Sequence, residues 1–255
     1  MKRVFVFLLA AVLFFPACAQ DEDEKISVLV FSKTVGFRHS SIPNGVKCMI
    51  ELGMEHGWSV TSTEDASLFT DDFLKNFDVV VFNNTTQDIF NEEQQEAFKR
   101  YYTSGKGFVA IHAAADTEYD WEWYGKLLGG DAWFLTHPPN QPGTIVVEST
   151  DHPSMKYFDE LKIKTLTTWD EWYTFKNNPR SKVKVLATLD ESSLKDLGRD
   201  PKKTKMGDHP IIWYHEFEGG RSFYTGKGHM PANFDELVFR QHLVGGIEWA
   251  AGKVD

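Results

Sequence analysis

"GFVAIHAAADTEYDW", residues 107–121, decides how the rest of this chain is read. The apolar run FVAI, residues 108–111, stops abruptly at His112. Three alanines, Asp116 and a cluster of acids and aromatics follow. The run reads as a buried strand, and ligands of open α/β sheets bind outside the carboxyl ends of such strands. Many enzymes place a Ser or Cys nucleophile on a tight, glycine-flanked turn there. This turn instead offers an imidazole and small apolar side chains.

Outward from that strand the pattern repeats. ISVLVF at 26–31, WSVT at 58–61 and DVVVF at 78–82 read as strands. Residues 42–56 read as a helix, with Ser41 as N-cap, Pro43 in the first turn and Gly57 as terminator. Asn91 starts a second helix running to about 104, with Glu92, Glu93 and Glu96 near its positive end. Residues 118–128 read as a third. Strands and helices that alternate through short loops predict a mainly parallel sheet covered on both faces. The second half is less regular, with strands at 144–148, 183–189, 211–214 and 221–224 and a closing helix at 236–251. Residues 195–205 read as a solvated, charged loop. No repeat or linker interrupts residues 25–252, which predicts one domain.

Residues 1–19 have the layout of a secretory signal: Lys2 and Arg3, an apolar run at 4–15, then a polar stretch at 20–24. The apolar run is shorter than the ~20 residues that span a bilayer. Two processing routes stay open. Cleavage after Ala17-Cys18-Ala19 releases a soluble protein starting at Gln20; lipidation of Cys18 tethers it. Either predicts export, to the periplasm or as an outer-membrane lipoprotein of a Gram-negative-type envelope, with membrane contact only through Cys18. Cys48, the other cysteine, falls in a helical pattern as a small core residue, so no intrachain disulfide is expected.

The precursor carries net charge −10, and residues 1–19 hold two positive charges and no acid, so the remainder is −12. That disfavours nucleic acid as a partner, because phosphate neutralisation dominates such binding. Aromatics make up 14% of the chain, with eight Trp, a supply that serves a core and also suits stacking on sugar rings.

The predicted strand ends carry Arg38 and His39; Asn84; His112, Asp116, Tyr119 and Trp121. Later come His137, the run Trp169-Asp170-Glu171-Trp172-Tyr173, and Gly226-Lys227-Gly228-His229. Structural alternatives stand beside each. His112 suits a buried imidazole satisfied by a carbonyl, Asp116 a helix N-cap, His137 a turn and His152 a structural role. Asp170 and Glu171, adjacent in an extended segment, point to opposite sides. Ser-His-Asp, G-x-S-x-G, H-E-x-x-H and paired C-x-x-C patterns are missing. His39, His112, His137 and His229 with a carboxylate are residue types that hold a first-row divalent metal, though their spacing carries no signal.

Longer motifs add a resemblance. "GFRHSSI", "GFVAIHAAADTEYDWEWYGKLLGG", "THP", "DEWYTF", "HPIIWYHEFEGGRSFYTGKGH" and "FRQHLVGGIEWAAG" resemble the ThuA-like (trehalose utilisation) family over nearly all of residues 25–252. The resemblance implies the class I glutamine amidotransferase-like fold, a three-layer α/β/α sandwich related to flavodoxin-like sheets. It also implies that the strand end at 111–113 has lost the amidotransferase cysteine, and with it the covalent intermediate. A small-molecule carbohydrate is the implied ligand, a glycoside or 3-keto-glycoside. A base and an oxyanion stabiliser could then drive elimination, hydrolysis or isomerisation. On this basis His112 or His39 is the expected base and Asp116 or Glu171 its partner. Arg38 is the expected clamp on ligand oxygen, and Asn84, Tyr119, Trp121, Trp169, Asp170, Tyr173 and His229 complete the expected substrate contacts. A sugar-binding module without catalysis, suggested by the Ala113-Ala114-Ala115 run, and an envelope scaffold are the competing readings. Oligomeric state has no signal in the sequence.

Overall fold

The computed structural model describes residues 25–255. The signal-like segment 1–19, including Cys18, lies outside the described residues. The first elements are β1 (Ser27–Phe31), α1 (Ile42–His56), β2 (Ser59–Thr63), α2 (Asp71–Leu74), β3 (Val79–Asn83), α3 (Glu92–Thr103) and β4 (Gly107–Ile111). A 3-10 turn (His112–Asp116) leads to α4 (Glu122–Leu128), β5 (Phe134–Thr136), β6 (Gln141–Val147), α5 (Lys156–Glu160), β7 (Thr165–Asp170), β8 (Thr174–Phe175) and β9 (Lys184–Asp190). β10 (Pro210–Phe217), β11 (Gly220–Thr225) and α6 (Leu237–Ala250) follow. Among the described residues, no helix is long and apolar enough to cross a membrane.

A nine-stranded sheet runs β2-β1-β3-β4-β11-β10-β9-β6-β7. The stretch from β2 to β11 is parallel. β10, β9, β6 and β7 extend it antiparallel. β3 and β4 are buried at every position, as strands covered on both faces must be. Alternate residues feed two cores, because strand side chains alternate faces. Val28, Val30, Val79, Val81 and Val109 pack with residues of α1 and α6. Leu29, Phe31, Val80, Phe82 and Phe108 pack with residues of α3 and α4. The result is the expected mixed α/β sandwich, and Cys48 is a core residue, 2% exposed.

Local chemistry sets the helix ends, with two departures from the sequence reading. α1 begins at Ile42 and stops where Gly57 turns left-handed, φ 76°. Ser41 does not cap it; the hydroxyl donates to the Gly228 carbonyl at 3.0 Å. α4 begins at Glu122 rather than 118, because Glu118 adopts φ 54° and its carboxylate accepts the backbone N–H groups of Ile89 and Phe90, each at 2.8 Å. Asn91 does cap α3: its side chain accepts the Gln94 N–H at 2.9 Å, and its own N–H donates to the Gln94 side chain at 3.0 Å. Replacing Asn91 by Ala should remove ~1 kcal/mol of stability. In thermal melts that is a Tm lower by ~2–4 °C for a domain of this size, and an unchanged Tm would show that α3 needs no cap.

Candidate functional site

The parallel register Thr225↔Ile111 sets the end of β11 beside the end of β4. There His112 turns the backbone left-handed, φ 46°, a conformation that costs a non-glycine residue ~1–3 kcal/mol. The turn drives the imidazole against the loop after β11, where Nδ1 lies 2.9 Å from the Gly226 carbonyl. A carbonyl only accepts, so Nδ1 carries a proton and Nε2 is the ring nitrogen turned to the cluster. Tyr173 packs over the ring with centroids 4.2 Å apart.

Three other strand ends bring partners. His39 follows β1, Glu171 follows β7 and His229 follows β11. One donor atom from each of His39, His112, Glu171 and His229 lies within 4.8 Å of the others. The three rings stand edge-on to one another, with centroids 5.0 to 5.3 Å apart. Glu171 Oε2 is 3.3 Å from His112 Nε2 and 3.0 Å from His229 Nδ1. His39 is 3% exposed and His112 fully buried. His39 Nδ1 and His229 Nδ1 are buried without a hydrogen-bond partner; the His229 contact with Glu171 is close but misaligned.

Charge explains what the cluster wants. Burial, reinforced by the neighbouring His112 and His229, lowers His39 to about 3, so it is neutral in ordinary solution. Burial pushes the Glu171 carboxyl up, but His112 and His229 outweigh that and hold it well below the usual carboxylate range. A carboxylate therefore faces His112 Nε2 at 3.3 Å. An anion and a ring nitrogen so placed are joined by a proton on the nitrogen or by a cation between them. Three imidazoles and a carboxylate suit zinc or another first-row dication. Ligand bonds of ~2.0–2.2 Å put opposed donors up to ~4.4 Å apart, so small shifts close this set on one ion.

The sequence pattern of the ThuA family, described as trehalose utilisation, matches residues 27–250. The chain belongs to the ThuA family. Among solved structures, it is similar to a ThuA-like protein of Bacteroides uniformis at 23% identity and TM-score 0.73, over 93% of this chain and 95% of that one. A ThuA-like protein of Parabacteroides merdae matches at 20% identity and TM-score 0.69, over 91% and 92%. The glutaminase domain of Trypanosoma brucei CTPS shares the fold at 8% identity and TM-score 0.51, over 91% and 95%. None of the curated proteins matches the sequence.

In this ThuA chain the residues expected to form one pocket divide into groups. Asn84 is fully buried and braces the site: its amide donates to the Gly228 carbonyl at 3.2 Å, and its oxygen accepts the Ala113 N–H at 3.4 Å. Asp170 is fully buried as well, with backbone N–H groups as its hydrogen-bond donors. Tyr173 forms the back wall, while Trp169, 52% exposed, stays on the rim side of β7.

Others turn away. The Arg38 guanidinium forms a two-pronged pair with Glu64 at 2.7 and 2.8 Å, out toward solvent, so it is no clamp at the cluster. Asp116 is not an N-cap; its carboxylate accepts the Tyr119 hydroxyl at 2.6 Å and the Gln87 amide at 3.1 Å. Burial raises its pKa, against these two hydrogen bonds. Tyr119 is further occupied by Lys176, whose ammonium sits 4.1 Å over its ring. Trp121 packs on Trp123, centroids 4.9 Å apart, within the aromatic core.

His137, for which the sequence left a turn and a metal-binding role open, lies at the cluster. Its Nδ1 is 3.1 Å from Glu171 Oε1, the oxygen that His112 and His229 do not use, and its side chain is 38% exposed. The sequence also names it among the histidines that could hold a metal with a carboxylate, without a spacing signal to place it. His152 is structural, as its sequence context suggested: its Nδ1 accepts the Ser154 N–H at 3.2 Å.

Proposed function

We propose that this ThuA-family protein is a metal-dependent enzyme of carbohydrate use that acts on a glycoside or 3-keto-glycoside by elimination, hydrolysis or isomerisation. The convergence of His39, His112, His229 and Glu171 on one space carries this reading. A divalent ion held by those four side chains would polarise a carbonyl or hydroxyl oxygen of the sugar.

The chain's own groups then have distinct tasks. Gly226 holds the His112 ring so that Nε2 faces the cluster. Tyr173 shields that ring from water on its far side. His137 stands at the open edge, and its Nε2 has no partner among the described residues, which leaves it available to take up a proton from a ligand. Phe37 is 65% exposed, with its ring 4.8 Å from that of His39. Its loop is pinned to Thr86 by hydrogen bonds of 3.0 Å through Val35 N–H and the Phe37 carbonyl. A held, exposed ring of this kind suits the apolar face of a sugar. The family's description supports a carbohydrate ligand, and the pattern of residues 1–19 supports a place in the cell envelope.

The test is a panel of native and 3-oxidised disaccharides, offered to chelator-stripped protein and to protein resupplied with Zn²⁺, Mn²⁺ or Co²⁺. Turnover that appears only with metal is the expected result. Binding without turnover under every metal would identify a sugar-binding module instead. A protein that neither binds nor turns over any of these sugars would sink the carbohydrate reading.

A further inference from the structure

We propose that Asp170 is the positioning residue of this site: one carboxylate that touches no ion yet sets both Glu171 and His229. Its Oδ1 accepts the backbone N–H of Glu171 at 2.9 Å and of His229 at 3.1 Å. Its Oδ2 accepts the N–H of Gly228 at 3.0 Å. Two of the four cluster residues therefore hang from one oxygen atom through their own main chains.

The sheet does not pair these two segments. Side-chain links join them nearby, from Lys227 to Thr168 at 2.7 Å and from Asn233 to the Trp169 carbonyl at 3.3 Å, but the carboxylate is what holds residues 171 and 229 themselves. β7 is the edge strand, and β6, β9 and β10 separate it from β11. No ladder can pair residues 170–171 with residues 228–229 across three strands. The carboxylate supplies the missing acceptors, and its full burial removes water as a competitor.

The loop it holds is the hub of the site. Gly226 orients His112, and the Gly228 carbonyl accepts from Ser41 at 3.0 Å and Asn84 at 3.2 Å. Gly228 has φ 126°, and a Cβ there would meet Ile111 Cγ2 at 2.8 Å, so the loop has a single way to run. A shift of this loop moves His229 and His112 together. Supporting residues of this kind typically change metal affinity 10–100-fold.

This role presupposes a metal at the cluster, so the experiment separates the two claims. Asp170→Asn keeps the shape but turns an amide N–H₂ toward a backbone N–H, donor against donor. Co²⁺ is the probe, followed by chelator competition and by its visible absorption. The expected result is a ~10–100-fold loss of Co²⁺ affinity and an altered Co²⁺ spectrum in Asp170→Asn. Asn91→Ala, destabilised at a remote helix end, should keep both at wild-type values. Should Asp170→Asn fold poorly, Asp170→Ser leaves one acceptor and room for water, and its folded fraction is measured in the same way. Wild-type affinity and spectrum in the Asp170 variants, even with a lowered Tm, would overturn the proposal. A wild-type protein that takes up no Co²⁺ would instead remove the metal centre itself.

Discussion

Glu171→Gln protein is expected to bind Zn²⁺ or Co²⁺ at least ~10²-fold more weakly than the wild type, beyond the upper end of what a supporting residue costs. The substitution preserves volume and one carbonyl oxygen but removes the carboxylate charge that lies 3.3 Å from His112 and 3.0 Å from His229. Metal-free stability should fall as well, because His112 and His229 outweigh the burial of this carboxylate and favour its charged form in the fold. Chelator competition and apo Tm on the same variant check both halves. A variant that keeps wild-type affinity would show that the four side chains meet for packing rather than for an ion. A variant that loses affinity only in proportion to unfolding would show the same.

Metal-free protein should lose ~4 kcal/mol of stability between pH 7 and pH 5 through two histidines remote from the site. Burial lowers His152 to about 3, with His242, Arg221 and Lys184 adding to it. Burial lowers His242 to about 4, against the Ser154 carbonyl that its ring contacts. Both stay neutral in the fold, whereas in the unfolded chain each takes a proton below about 6.5. The unfolded state therefore binds more protons, and stability falls as pH drops through 6.5 until the folded groups themselves titrate near 3 to 4. The slope is ~2.7 kcal/mol per pH unit for two groups, a Tm fall on the order of 10 °C by pH 5. His152→Gln/His242→Gln protein should show a shallower fall over that window, the remainder coming from His39 and His215, which burial also lowers. A wild-type Tm that is flat from pH 7 to pH 5 would mean that both rings protonate in place.

What could be read in advance was whatever is written locally. β3 and β4 announce themselves because strands buried on both faces are continuous apolar runs. α1 was legible to its last residue because Pro43 fixes φ in the first turn and Gly57 tolerates the left-handed turn that ends the helix. β7 was missed for the opposite reason: its sequence TLTTWD alternates exposed and half-buried positions at a sheet edge and carries no apolar run. The family, too, was legible, because its motifs are long and ordered, and its pattern spans residues 27–250.

The site was legible only in part. His39 and His112 stand at the ends of strands whose parallel order the sequence predicts, so their meeting follows from topology. Arg38 stands beside His39, yet it turns to Glu64, which follows β2; that choice depends on which charge lies within reach once α1 and β2 are packed. Glu171 and His137 come from the antiparallel half and its connections, where strand order does not dictate which loops meet, and His229 follows β11, whose place beside β4 the order of strands along the chain does not announce. Asp116 looked like a helix cap until Glu118 turned left-handed and delayed the helix to Glu122. By itself the sequence determined the layers, the parallel strands and that His112 rather than a cysteine stands at the end of β4. Only the tertiary structure decided that three imidazoles share one carboxylate, because backbone periodicity is a local property and the meeting of side chains from distant loops is set by the packing of the whole sheet.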